Sequence, residues 1–227
     1  MSPLLLATTI AIAAPATQAD GTFDSFAAKL PREAQTGTLL FSRGECLAIR
    51  FATQGPHTHV AAIVVDGGRP YIYDSMNGSG VRRLSLESYL RTHHPSKVDV
   101  LQPTRPFSKR RSAKFRNYLN GQLGRPYAVK HHVTGQRDEG LHCSEYVTES
   151  LLHSGLIRAE RPSRVTPSSL ADGLIAGGVY RHEQTLRRQV PPVVAPTGNN
   201  WCEQLWHDTK HCTDQAWNQL GAWFACK

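Results

Sequence analysis

The stretch from residue 60 to residue 73 constrains the fold of this chain more than any other. Val60-Ala61-Ala62-Ile63-Val64-Val65 is too short for a helix and rich in β-branched residues, so it reads as a buried strand. Asp66-Gly67-Gly68 supplies a hairpin turn, and Tyr71-Ile72-Tyr73 starts the returning strand. An antiparallel sheet is therefore expected. Further strands are predicted at Gly37-Thr38-Leu39-Leu40-Phe41-Ser42, weakly at 46–51, at 81–84 after the Asn77-Gly78-Ser79-Gly80 turn, and at 98–101 between Pro95 and Pro103.

Helical patterns alternate with these strands. A short helix is predicted over 23–30, broken by Pro31, and one or two turns over 86–90. Ser108 is suited to cap a helix carrying Ala113, Phe115, Tyr118, Leu119 and Leu123, with Gly124 as its stop. Thr166-Pro167-Ser168-Ser169-Leu170 opens another, with proline in the first turn. The fold class is α+β, an antiparallel sheet packed against helices.

The ends of the chain differ from the middle. A short apolar run follows Pro3, and Thr17-Gln18-Ala19 offers small residues for signal-peptide cleavage, so residues 1–19 are expected to be a signal peptide and the protein to be exported. Residues 20–188 form the expected catalytic domain. Residues 189–200 shift to Pro, Val and polar residues and read as a linker. Residues 201–227 form an aromatic, cysteine-bearing tail, helical by spacing, with Trp201, Trp206, Trp217 and Trp223. Packing of this stripe on the core is preferred over a binding face for a wall or partner.

The net charge of +8 favours anionic surfaces such as wall polymers or phospholipid head groups. Lys109, Arg110, Arg111, Lys114 and Arg116 concentrate part of it and read as a solvated helix face. No nucleic-acid module is present, so nucleic acid is not an expected partner. The tail lacks a Cys-x-x-Cys pair, and neither a metal nor an organic cofactor is expected. Five cysteines leave one unpaired if four join, so Cys46, Cys202, Cys212 and Cys226 are candidates for two disulfides of open connectivity.

Cys143 is the candidate for the free thiol. It lies in Leu141-His142-Cys143-Ser144-Glu145, at the start of a helix predicted over 144–154, with Tyr146, Val147, Leu151 and Leu152 on one face and Gly155 as the stop. The unpaired N–H groups and positive dipole end of such a helix favour thiolate over thiol. A cysteine nucleophile also needs a base and a group that orients the base. His59 enters the strand at 60–65, and Asp74 ends its hairpin partner. The pattern leaves open whether the two side chains share a face. His57, two residues away, is the rival base, whereas His142 is expected to point elsewhere and His93, His94, His131 and His132 to be solvated.

These segments, in the order Gly37-Thr38-Leu39-Leu40-Phe41, Thr58-His59-Val60, Gly124-Arg125-Pro126-Tyr127 and Leu141-His142-Cys143-Ser144-Glu145, resemble the circularly permuted papain-fold hydrolases of the NlpC/P60 superfamily, especially the YiiX/YebB-like group. The resemblance covers residues 37–176. It implies a cysteine hydrolase with Cys143 as nucleophile, His59 as base and Asp74 as the third polar residue. It also implies that Tyr127 lines the cleft; Glu145 follows the nucleophile as in that group and is expected to satisfy helix N-terminal amides. Thr38 and Asp74 depart from the group, which commonly has Asp at the first position and Glu or His at the second. With the compartment and charge, the implied substrate is a peptidoglycan peptide, cleaved at an amide. An acyl lipid, hydrolysed or used for acyl transfer, is the alternative for the same site, and wall or partner binding through the aromatic tail is a third reading.

Overall fold

A computed structural model describes residues 20–22, 34–43, 55–92, 97–128, 139–187, 200–207, 209–210 and 213–214. Seven strands among them form one sheet: β1 (Asp20–Thr22), β2 (Leu39–Arg43), β3 (His59–Asp66), β4 (Arg69–Met76), β5 (Gly80–Ser85), β6 (Lys97–Pro103) and β7 (Tyr180–Arg187), in the order β1-β7-β6-β2-β3-β4-β5. All neighbours pair antiparallel except β1 with β7, which is parallel. The helices are α1 (Leu86–Thr92), α2 (Lys109–Gly121), α3 (Cys143–His153) and α4 (Pro167–Ala176), with a 3-10 turn at Pro162–Arg164.

The central hairpin forms as its residues predict. Asp66 pairs with Arg69, and Gly67 and Gly68 have φ of 55° and 76°, the two left-handed positions of a type I′ turn. β3 is buried on both faces, which explains its continuous apolar run. Val60, Ala62 and Val64 join Leu39, Phe41 and Tyr73 in a core shared with Phe115 and Leu119 of α2, Tyr146, Val147 and Leu151 of α3, and Leu170 and Leu174 of α4. Ala61 and Ile63 alternate onto the other face, with Leu40, Ile72, Val98 and Val100, and α1 covers them with Leu86 and Tyr89. Each fully buried large aliphatic here contributes about 1.5–3 kcal/mol relative to exposure.

The helices follow their caps, with adjustments. Ser108 accepts from the Arg111 N–H, and Thr166 and Ser169 make a reciprocal capping box. α2 ends at Gly121 rather than at Gly124, and Ala113 and Leu123 are exposed, while Phe115 and Leu119 are its buried residues. α3 begins at Cys143 itself, since His142 takes the capping position. In the basic run, Arg116 leans back to bond Asp66 and the Val65 carbonyl.

At the C-terminal end residues 201–207 are helical, but Trp201, Leu205 and Trp206 are exposed, at 76%, 59% and 67%. The expected packing of this stripe on the core does not occur in the described part of the tail. Cys202 is free and exposed rather than bridged. Cys46, Cys212 and Cys226 lie outside the described residues, as do the segments at 1–19, 23–30 and 46–51, His93 and His94, His131 and His132, and nearly all of the linker. No helix among the described residues is long and apolar enough to cross a membrane.

Candidate active site

The question of a shared face is answered by counting along the hairpin. Ala62 pairs with Tyr73, and carrying that register one residue on sets Asp74 opposite Ala61. His59 is thus the diagonal same-face neighbour of Asp74, a separation that long side chains bridge. Its Nε2 stands 3.3 Å from Asp74 Oδ2, and the ring is close enough to Cys143 for each to favour the other's charged form. Cys143 and His59 are both buried.

These three groups set one another's charge. Burial opposes ionisation of the Cys143 thiol, but the charge of His59 and bonds from His142 and His59 outweigh it, lowering its pKa to about 6. Burial likewise opposes a charged His59, yet the thiolate and the Asp74 bond raise it to about 10. The Asp74 carboxyl is buried too, and its bonds to His59 and Arg82 bring it down to about 2. A thiolate–imidazolium pair backed by a carboxylate is the state these shifts favour near neutral pH.

Arg82, which sequence reasoning missed, fixes the carboxylate. Its Nε lies 2.8 Å from Asp74 Oδ1 and a terminal nitrogen 3.1 Å from Oδ2, the fork that matches a carboxylate. The signal was countable: the turn at 77–79 pairs Met76 with Gly80, hence Asp74 with Arg82.

The other expected residues divide. Tyr127 lies near the nucleophile: burial and then the charge of Cys143 push its phenol above the usual range. Glu145 is buried in the first turn of α3, and its own N–H is capped by His142 Nδ1. His57 is not beside the thiol. β3 begins at His59, so strand alternation does not extend to His57, and its Nε2 turns to Asp99 Oδ2 at 2.8 Å. Asp99 also bonds Thr185 and Arg43, and the bonds from His57, Thr185 and Arg43 together hold its carboxyl below the usual range against the cost of burial. The His57 N–H donates to Ser168 Oγ of α4, so this cluster anchors the chain entering His59. His142 was expected to point elsewhere; its ring nitrogens meet the Ser163 carbonyl, Ser144 Oγ and the Glu145 N–H, and it still lies near enough to Cys143 to favour the thiolate. No group of three or more His, Cys, Asp or Glu among the described residues is arranged to hold a metal ion.

A sheet whose histidine strand precedes the cysteine helix, with the thiol at the helix start, defines a permuted papain-like cysteine hydrolase. The chain belongs to the permuted papain-like amidase family YaeF/YiiX, C92, whose model matches residues 33–173, more than half of its length. It is accordingly a cysteine hydrolase of amide bonds. Among solved structures, that of the metalloprotein yiiX from Escherichia coli O157:H7 is similar at 21% identity and a TM-score of 0.47, covering 68% of this chain and 89% of that one. No curated protein matches.

Proposed function

We propose that Cys143, His59 and Asp74 are the nucleophile, acid–base and orienting groups of an exported amidase that cleaves a peptide bond of peptidoglycan. The observation that carries the site is the buried His59 ring, 3.3 Å from Asp74 and close enough to Cys143 for the two to favour each other's charged form. The Cys143 thiolate attacks the amide carbon, and the C–N bond breaks as His59 protonates the leaving nitrogen. His59 then takes a proton from water, whose oxygen attacks the thioester and releases the acid. The Cys143 N–H, at the first position of α3, has no intrahelical acceptor and is a donor for the oxyanion. Tyr127 lines the cleft beside the sulfur.

The substrate and compartment rest on other grounds. The family is one of amidases, the charge of +8 suits an anionic wall, and the apolar N-terminal run suits export. Purified peptidoglycan digested with the wild type and with Cys143→Ala, read by mass spectrometry, tests this. New muropeptides from the wild type alone support it. Their absence, with fatty acid released from lipid extracts, moves the site to acyl lipids. The exposed Trp201 and Trp206 favour an additional wall- or partner-contacting role for the tail, which removal of residues 198–227 tests by loss of binding with activity retained.

A further inference from the structure

Adjacent residues of β4 hold the two halves of the site. Asp74 and Ser75 leave the strand on opposite faces. The first takes Arg82 and His59, while the second, fully buried, donates from its hydroxyl to the Leu141 carbonyl oxygen at 2.6 Å. Leu141 stands two residues before the nucleophile and is buried itself, and no other donor among the described residues reaches that oxygen. The bond closes a ring of contacts around the entry to α3. Ser75 pairs with Val81 across β4 and β5, and Val81 bonds the next segment twice, its N–H donating to the Arg125 carbonyl at 2.8 Å and its carbonyl accepting from the Gly124 N–H at 2.9 Å. The Pro126 carbonyl then accepts from the Leu141 N–H at 3.0 Å, and Leu141 returns to Ser75. Gly140 fits this ring because a side chain there would meet the Pro126 carbonyl and Ala128. Tyr127 and Cys143 thus leave one frame, of which the strand carrying Asp74 is a side.

We propose that Ser75 is a positioning residue for the nucleophile: its bond to Leu141 sets the entry to α3, and through it the separation between Cys143 and the His59 that Asp74 orients. The His142 ring and the Ser144 hydroxyl bond the carbonyls of Ser163 and Val165, which ties the helix start to the chain that follows it, whereas Ser75 ties it to the sheet. The separation matters twice. Attraction between the thiolate and the imidazolium weakens as they part, and a misplacement of about 1 Å costs about 100-fold in rate. The titratable groups near the sulfur are His59 of β3 with Asp74 behind it, His142 at the cap of α3, Tyr89 of α1 and Tyr127, and a substitution at Ser75 removes none of them.

The inference rests on Cys143 and His59 as the reacting pair but not on the substrate, so its test uses iodoacetamide alone. Alkylation of Cys143 across pH, followed by mass spectrometry of the full chain's Cys143 peptide, is compared in the wild type, Ser75→Ala, Ser75→Thr and Ser154→Ala. Ser154 is a matched control, a buried serine at the other end of α3 whose hydroxyl donates to the Leu151 carbonyl at 2.7 Å. Ser75→Ala is expected to raise the alkylation midpoint by about one pH unit, a tenfold loss of thiolate on the acid limb. Ser75→Thr, which keeps the hydroxyl, is expected to stay near the wild type, and Ser154→Ala to superimpose on it although an equivalent bond is lost. Should Ser75→Ala not fold, Ser75→Cys, similar in size with a weaker donor, takes its place, and its midpoint is expected to shift the same way. A midpoint equal to the wild type's in whichever of these two folds, or an equal shift in Ser154→Ala, overturns the proposal. A wild-type midpoint at the ordinary thiol value faults the Cys143 and His59 pair itself, and the proposal with it. Failure to cleave peptidoglycan leaves this result standing.

Discussion

Arg82 and Asp74 face each other across β5 and β4, and the guanidinium makes two bonds to the carboxylate at 2.8 and 3.1 Å. The carboxylate is fully buried and its other partner is His59, so the orientation of the histidine depends on an arginine two residues beyond a turn.

Arg82→Lys keeps the charge and loses the fork, so kcat is expected to fall about tenfold with the fold retained. Arg82→Met leaves Asp74 buried with a single partner and is expected to cost about 3 kcal/mol in urea unfolding. Wild-type kcat in the lysine variant would show that a point charge suffices.

The pH profile of kcat/KM should be bell-shaped. Activity requires Cys143 ionised and His59 protonated, so it rises as pH passes about 6 and falls as pH passes about 10. The two limbs belong to the pair, not to either residue alone. Steady-state rates in buffers of constant ionic strength check this, and an acid limb near the ordinary thiol value contradicts it.

Acid stability follows from the two buried aspartates. Asp74 drops from its ordinary 3.8 to about 2 in the fold and Asp99 shifts the same way, so their stabilisation is complete above the ordinary value and is lost as pH falls through the folded one. Asp99→Asn is expected to lower stability at neutral pH by about 2 kcal/mol and to flatten the acid limb of denaturation. Equal steepness in variant and wild type would contradict the assignment to Asp99.

Gly80 ties the hairpin to the segment carrying Tyr127. Its φ is 68°, a side chain there would meet the Arg125 carbonyl, and next to it the Val81 N–H donates to the same oxygen at 2.8 Å. Gly80→Ala is expected to destabilise by about 2 kcal/mol and to raise KM more than it lowers kcat. Thermal unfolding and steady-state kinetics read both effects.

Trp206→Ser should change stability by no more than about 0.5 kcal/mol, because the ring is 67% exposed. A larger loss in urea unfolding would restore the packed-tail expectation.

What the sequence determined by itself was local. The β-branched run with its two glycines specified the β3–β4 hairpin, and Cys143 at a helix start was equally legible, whereas the diagonal of His59 and Asp74 waited on the observed register. These features follow from periodicity and turn chemistry within a few residues. The tertiary structure decided the rest. His57 went to Asp99, 42 positions away, once β2 and β6 paired, and its N–H went to Ser168, 111 positions away. His142 turned to the carbonyl of Ser163 and Ser144 to that of Val165, each 21 residues downstream. Trp201 and Trp206 remained outside because helical spacing creates an apolar face without supplying a surface to cover it. Pattern dictates which side chains share a face, but hydrogen-bond partners distant in the chain dictate where a ring points and which of its nitrogens carries the proton.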